Sequence, residues 1–158
     1  EINRRKIKDI TIDLRNNTGG SSKCVERLIS YFPHPDYSLY SKTQLKVSEY
    51  SKAYNKDRHP EIYRKICNLP NGELFEIYDT PVKSNLETTN LYRGKITIFV
   101  NNKTYSGAST FAHRMRHLGI ASVEGETGCP NVYFGNFLHF TLPNSKIDYY
   151  IAFAKFYE

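Results

Sequence analysis

Residues 7–14, Ile-Lys-Asp-Ile-Thr-Ile-Asp-Leu, alternate apolar and polar side chains, with Ile10, Ile12 and Leu14 on one face. A period of two predicts a strand laid against a core. The turn cluster Arg15-Asn16-Asn17-Thr18-Gly19-Gly20 follows, and then Val25, Leu28, Ile29 and Phe32 recur at helical spacing. Ser21 or Ser22 is the expected cap of that helix, and Pro33 and Pro35 end it. A second strand–loop–helix unit begins at Lys95. Ile96, Ile98 and Val100 mark the strand, and residues 101–105 make a tight connection. Ala108, Phe111, Ala112, Met115 and Leu118 mark the helix, which Gly119 closes. Arg114, Arg116 and His117 suit the negative end of its dipole. Residues 120–123 read as a further strand and 125–130 as a loop. Segments 137–142 and 147–156 bracket Pro143-Asn144-Ser145 as a hairpin.

Between these units the pattern changes. Residues 36–92 are polar and rich in Tyr and Lys, with possible helices near 42–55 and 60–67 and turn signals at Pro70-Asn71-Gly72 and Thr80-Pro81. The stretch about 33–93 is expected to be a long insertion, a lid or cap on an α/β core. The 158 residues fit one ordinary domain, and 39% hydrophobic residues suffice to bury a core. No run approaches the roughly 20 apolar residues of a membrane span. Lys and Arg number 22 against 16 Asp and Glu, but the excess is spread along the chain and turns negative over 67–90. That distribution predicts a solvated basic surface and no nucleic-acid site. Cys24, Cys67 and Cys129 lack metal-ligand spacing, so neither a metal site nor a cofactor is expected.

Chemistry concentrates at the two junctions. Paired glycines between strand and helix free backbone N–H groups to face an anion, although Gly19-Gly20 also suits a simple tight turn. Ser106 sits where a buried strand turns into a helix. It is either an N-cap or a nucleophile, with the Gly107 N–H beside it for an oxyanion. Ser109, one turn later, is the alternative nucleophile.

Asp13-Leu14-Arg15-Asn16-Asn17-Thr18-Gly19-Gly20 resembles the Asp-Leu-Arg-x-Asn-x-Gly-Gly motif of the C-terminal processing, or tail-specific, serine peptidases. Residues 100–112, Val-Asn-Asn-Lys-Thr-Tyr-Ser-Gly-Ala-Ser-Thr-Phe-Ala, resemble that family's nucleophile segment. Gly125-Glu126-Thr127-Gly128 is similar to its Gly-Glu-x-Thr loop, one residue short, and Phe140–Ser145 to a strand-turn of its shorter bacterial relatives. The resemblance implies a crotonase-like (Clp protease-like) α/β core of strand–helix units with the long insertion. It implies a catalytic core lacking an N-terminal region, a polypeptide substrate and an extracytoplasmic location. Ser106 would be the nucleophile, and the Gly107 N–H with that of Gly19 or Gly20 would hold the oxyanion.

One part of the pattern is missing. The family's usual lysine base falls at Asn131, or at Cys129 if the missing residue is allowed for. Serine needs a base to take its proton. Glu126 is a candidate base or orienter, and His34 and His59, within the stretch expected as the insertion, are others. His139 lies in a predicted strand. His113 stands about 10 Å along the helix from Ser106, out of reach, and His117 lies farther still. Without the lysine, a non-catalytic peptide-binding module on the same fold is the alternative, and an acyl-CoA enzyme of the crotonase type a more distant one.

Overall fold

The computed structural model describes residues 5–125 and 133–157, and the chain divides into two compact units. The first comprises residues 1–39 and 80–132, and the second residues 40–79 and 133–158.

The first unit is built on a parallel sheet of order β1-β4-β5. Strand β1 is Asp9–Asp13, helix α1 is Ser22–Ile29, β4 is Lys95–Val100, α4 is Gly107–His117 and β5 is Ser122–Gly125. Ile10 pairs with Ile96 and Ile12 with Ile98, and Ile98 in turn with Val123. Central strand β4 is flanked on both sides, so Ile96, Ile98 and Val100 are all buried. Helix α1 buries Val25 and Ile29, and α4 buries Ala108, Phe111, Ala112 and Met115, each apolar stripe turned to the core. The end of α4 follows the sequence: Gly119 takes φ 67°, its N–H donates to Arg116 O, and Ile120 N donates to Met115 O. That pair of bonds is a glycine C-cap satisfying two otherwise orphaned carbonyls. Ile98 is fully buried in the central strand. Ile98→Ala is expected to cost about 2–5 kcal/mol in chemical denaturation, the loss of transfer energy plus a cavity.

The second unit is an antiparallel sheet of order β3-β2-β7-β6. It contains β2 (Lys42–Lys46), α2 (Glu49–Arg58), α3 (Pro60–Ile66), β3 (Leu74–Tyr78), β6 (Phe134–Thr141) and β7 (Asp148–Tyr157). Leu45, Phe153 and Ala154 form its buried centre, with Tyr54, Ile62, Phe75, Ile77, Leu138 and Phe156 packed around them. The sequence-predicted hairpin is β6–β7, paired from Thr141↔Asp148 to Phe134↔Lys155.

The stretch expected as an insertion is divided by this arrangement. Residues 40–79 do not stand apart, because β2 lies between β3 and β7 and shares the hairpin's sheet. The helix expected over 42–55 begins only at Glu49. Lys42–Lys46 is a strand, and Ser48 caps α2 through a reciprocal bond pair with Ser51. Strand β3, which the sequence pattern does not predict, lies between the two turn signals at 70–72 and 80–81. Residues 30–37 and 80–92 belong to the first unit. There Asn85 joins Ser30 O, Phe32 O and His34 N through its side-chain amide. Among the described residues, no helix is long and apolar enough to cross a membrane.

Candidate active site

In the first unit β1 and β4 run parallel, so the loops that leave them emerge at the same, carboxyl end of the sheet, where α/β folds place their ligands. The β1 loop opens with a tight fork. Arg15 Nε and Nη2 donate to the two Asp13 carboxylate oxygens at 2.9 and 2.7 Å, and Arg15 N donates to Oδ1 at 3.0 Å. The guanidinium also lies 5.6 Å from the centre of the Phe99 ring. These bonds favour the ionised acid, and the Asp13 carboxyl is held down at about 2. Because that value lies below the ordinary 3.8, the pair favours the folded chain above the ordinary value, and the contribution is lost as pH falls towards about 2. Both side chains are exposed, so water screens the effect. An NMR titration is expected to find Asp13 near 2, and to find it raised in Arg15→Ala but still below its ordinary value, because the backbone N–H of residue 15 remains bonded to it.

The rest of the loop is fixed from within and from the second junction. Leu14 N continues the ladder to Phe99 O at 2.8 Å, and Asn17 N turns back to Leu14 O at 3.1 Å. Gly19 has φ 99° and its N–H donates to Asn17 Oδ1 at 2.9 Å. Across from it, Thr104 is fully buried, and its hydroxyl donates to Leu14 O at 2.8 Å while accepting from Asn101 N at 3.0 Å. Tyr105 N donates to Asn17 O at 2.9 Å.

Ser106 follows, with φ 52° and ψ −130° at the N-terminal boundary of α4, and its side chain makes no capping bond. A non-glycine residue in that region carries about 1–3 kcal/mol of strain, retained only where the surroundings impose it. An ordinary capping serine is extended and accepts an N–H from the first turn. Ser106 does neither, so capping does not account for it. Its conformation is that of a sharp strand-to-helix turn.

The two junctions touch at their glycines. A Cβ on Gly19 would stand 2.5 Å from Gly107 N, 2.6 Å from Tyr105 O and 2.7 Å from Ser106 Cβ. One on Gly107 would stand 2.8 Å from Gly20 O and 3.1 Å from Gly20 N. No real Cβ tolerates the first set, so glycine is required for close approach as well as for the positive φ. Among the described residues, no group of the chain accepts from the Gly20 or Gly107 N–H, whereas the Gly19 N–H is taken by Asn17. Of the two loop glycines, Gly19 thus has its N–H engaged within the loop and Gly20 does not.

The other candidates separate cleanly. Ser109 is fully buried in α4 and is not presented as a nucleophile. His34 is buried, its Nδ1 lying 2.8 Å from Pro35 O and its ring edge-on to Tyr37. Burial pushes the neighbouring Tyr37 hydroxyl up to about 12, so it stays neutral. In the second unit His59 joins α2 to α3 and stacks on Tyr54, and His139 pairs with Asp148 at 3.1 Å and stacks on Tyr150. His113 and His117 lie along α4. Glu126, Cys129 and Asn131 lie outside the described residues. The sequence places Asn16, Asn17, Asn101 and Thr104 in the two motif segments but assigns them no role of their own at the site. Amide and hydroxyl side chains clustered at the ends of two predicted strands were the available signal.

A parallel sheet with both junctions at its carboxyl end, one a glycine loop and the other a strained serine turn, defines a Clp protease-like α/β core. The chain matches the model of peptidase family S41 over residues 1–147, and it belongs to that family. A putative peptidase from Parabacteroides merdae is similar at 19% identity and TM-score 0.51, over 89% of this chain and 36% of that one. A photosystem II D1 C-terminal processing protease is similar at 12% identity and TM-score 0.50, over 98% and 32%. Mature CPAF is similar at 13% identity and TM-score 0.52, over 94% and 35%. At such identities these likenesses speak for the fold. The chain spans about a third of the length of each of these structures.

Proposed function

We propose that this chain is the catalytic core of a serine peptidase acting on polypeptides. Ser106 Oγ attacks the peptide carbonyl, and its proton passes through a base to the departing amine. Water then releases the acyl group as a carboxylate, with the proton passing back to Ser106. The tetrahedral oxyanion formed in each half is held by the N–H groups of Gly107 and Gly20. The single observation that carries this reading is the strained, uncapped Ser106 pressed against Gly19. Glu126 is the proposed base or orienter. Val100 pairs with Gly125, so the chain leaves β5 at the same end of the sheet at which β4 leads to Ser106.

One observation favours a second reading. Neither Cys129 nor Asn131 is the lysine that commonly serves as base, and a serine without a base binds without turning over. The chain would then be a peptide-binding module on the same fold. Turnover of dye-labelled casein by the full-length protein separates the two. The peptidase reading requires hydrolysis that Ser106→Ala removes. The binding reading requires casein binding without turnover, unchanged by that substitution.

A further inference from the structure

We propose that Asn101 is a positioning residue that sets the spacing between the nucleophile turn and the oxyanion loop, an inference that rests on the serine-peptidase reading above. Its side-chain amide holds Asn16 at two points: Oδ1 accepts from Asn16 N at 3.0 Å, and Nδ2 donates to Asn16 Oδ1 at 3.1 Å. Oδ1 also accepts from Lys103 N at 3.1 Å, so one oxygen ties both loops. The turn over 101–104 does not depend on this side chain for closure. Asn101 N donates to Thr104 Oγ1, and Thr104 N donates to Asn101 O, both at 3.0 Å. The Asn101 amide is thus directed at the other loop, 85 residues away in sequence.

What it grips explains why the grip bears on rate. Asn16 sits at φ 63°, a conformation asparagine tolerates better than most residues. From Asn16 the chain passes through Asn17, whose O and Oδ1 accept from Tyr105 N and Gly19 N. Gly19 then presses on Ser106 and Gly107. An error at Asn16 is passed along four residues to the Gly20 donor. The distance from that donor to Ser106 Oγ is what transition-state stabilisation depends on. Asn101 is half-buried and Asn16 and Lys103 are exposed, so water can replace the lost bonds and keep the chain folded.

The test measures casein hydrolysis, inhibition by a peptide aldehyde and melting temperature in the full-length protein. The aldehyde adds to a serine as a tetrahedral oxyanion and reports the hole directly. Asn101→Ala removes both bonds to Asn16 and the bond from Lys103 N. It is expected to lower kcat about 10- to 100-fold with KM within about threefold. The aldehyde should weaken in the same proportion, with the melting temperature within about 4 °C. Asn101→Asp keeps the bonds from Asn16 N and Lys103 N, and the Asn16 amide can turn over to donate Nδ2 to the second oxygen, so most of the rate and inhibition should be retained. An unchanged kcat in Asn101→Ala overturns the inference. So does a lost kcat with unaltered aldehyde inhibition, or an Asn101→Asp variant as impaired as Asn101→Ala. Hydrolysis that survives Ser106→Ala overturns the peptidase reading instead, and the two failures are thereby distinct.

Discussion

Ser106→Ala is expected to lower hydrolysis by the full-length protein about 10⁴-fold or more, with the fold intact. The size follows from the absence of a substitute. Ser109, the next hydroxyl on the helix, is fully buried, and Thr104 is buried and bonded to Leu14 O. Stability should barely change, because the Ser106 side chain makes no capping bond to lose. Ser106→Gly sharpens the prediction. The angles 52° and −130° mirror an ordinary extended conformation, which glycine adopts freely and alanine does not. Ser106→Gly should be as inactive as Ser106→Ala yet more stable in thermal denaturation, by about 1 kcal/mol or more. Equal stability would mean that the serine turn is not strained.

Gly19→Ala carries the second large effect. The new methyl meets two backbone atoms, Gly107 N and Tyr105 O, and the Cβ of Ser106, all at 2.7 Å or less. Backbone cannot step aside as a flexible side chain can, so the two junctions must separate. A displacement of about 1 Å at a reacting centre costs on the order of 100-fold in rate. The positive φ adds strain of about 1–3 kcal/mol. Gly72→Ala isolates that second part. Gly72 has a similar φ of 95° in the second unit, with nothing within 4 Å of its would-be Cβ. It should lower the melting temperature and leave kcat alone. Comparable activity loss in both variants would detach Gly19 from the site.

Local periodicity made much of the first unit legible. Ile10, Ile12 and Leu14 alternate, and Ala108 to Met115 follow one helical stripe with a glycine stop, so β1, β4 and α4 lie close to their expected places. The second unit was less so, because its strands owe their conformation to distant partners. Lys42-Thr43-Gln44-Leu45-Lys46 has only Leu45 fully buried, and it is a strand because β3 and β7 bond it on both sides. Its pairing with β7 joins residues more than 100 positions apart, which no local pattern reports. At the site, serine and glycines could be picked out by type and position. Asn101 could not, since a loop asparagine reads alike whether it bonds its neighbours or a loop 85 residues away. The proton acceptor was equally illegible, because a base is defined by its distance from Ser106 Oγ and not by its residue type.

The most direct measurement is the site of covalent capture. The full-length protein is treated with a fluorophosphonate, digested and mapped by mass spectrometry. An activated serine beside two N–H donors predicts a single adduct on Ser106, lost when the protein is denatured beforehand and absent from Ser106→Ala. Equal labelling of Ser106→Ala, or an adduct elsewhere with Ser106 unmodified, contradicts the assignment of Ser106 as the nucleophile.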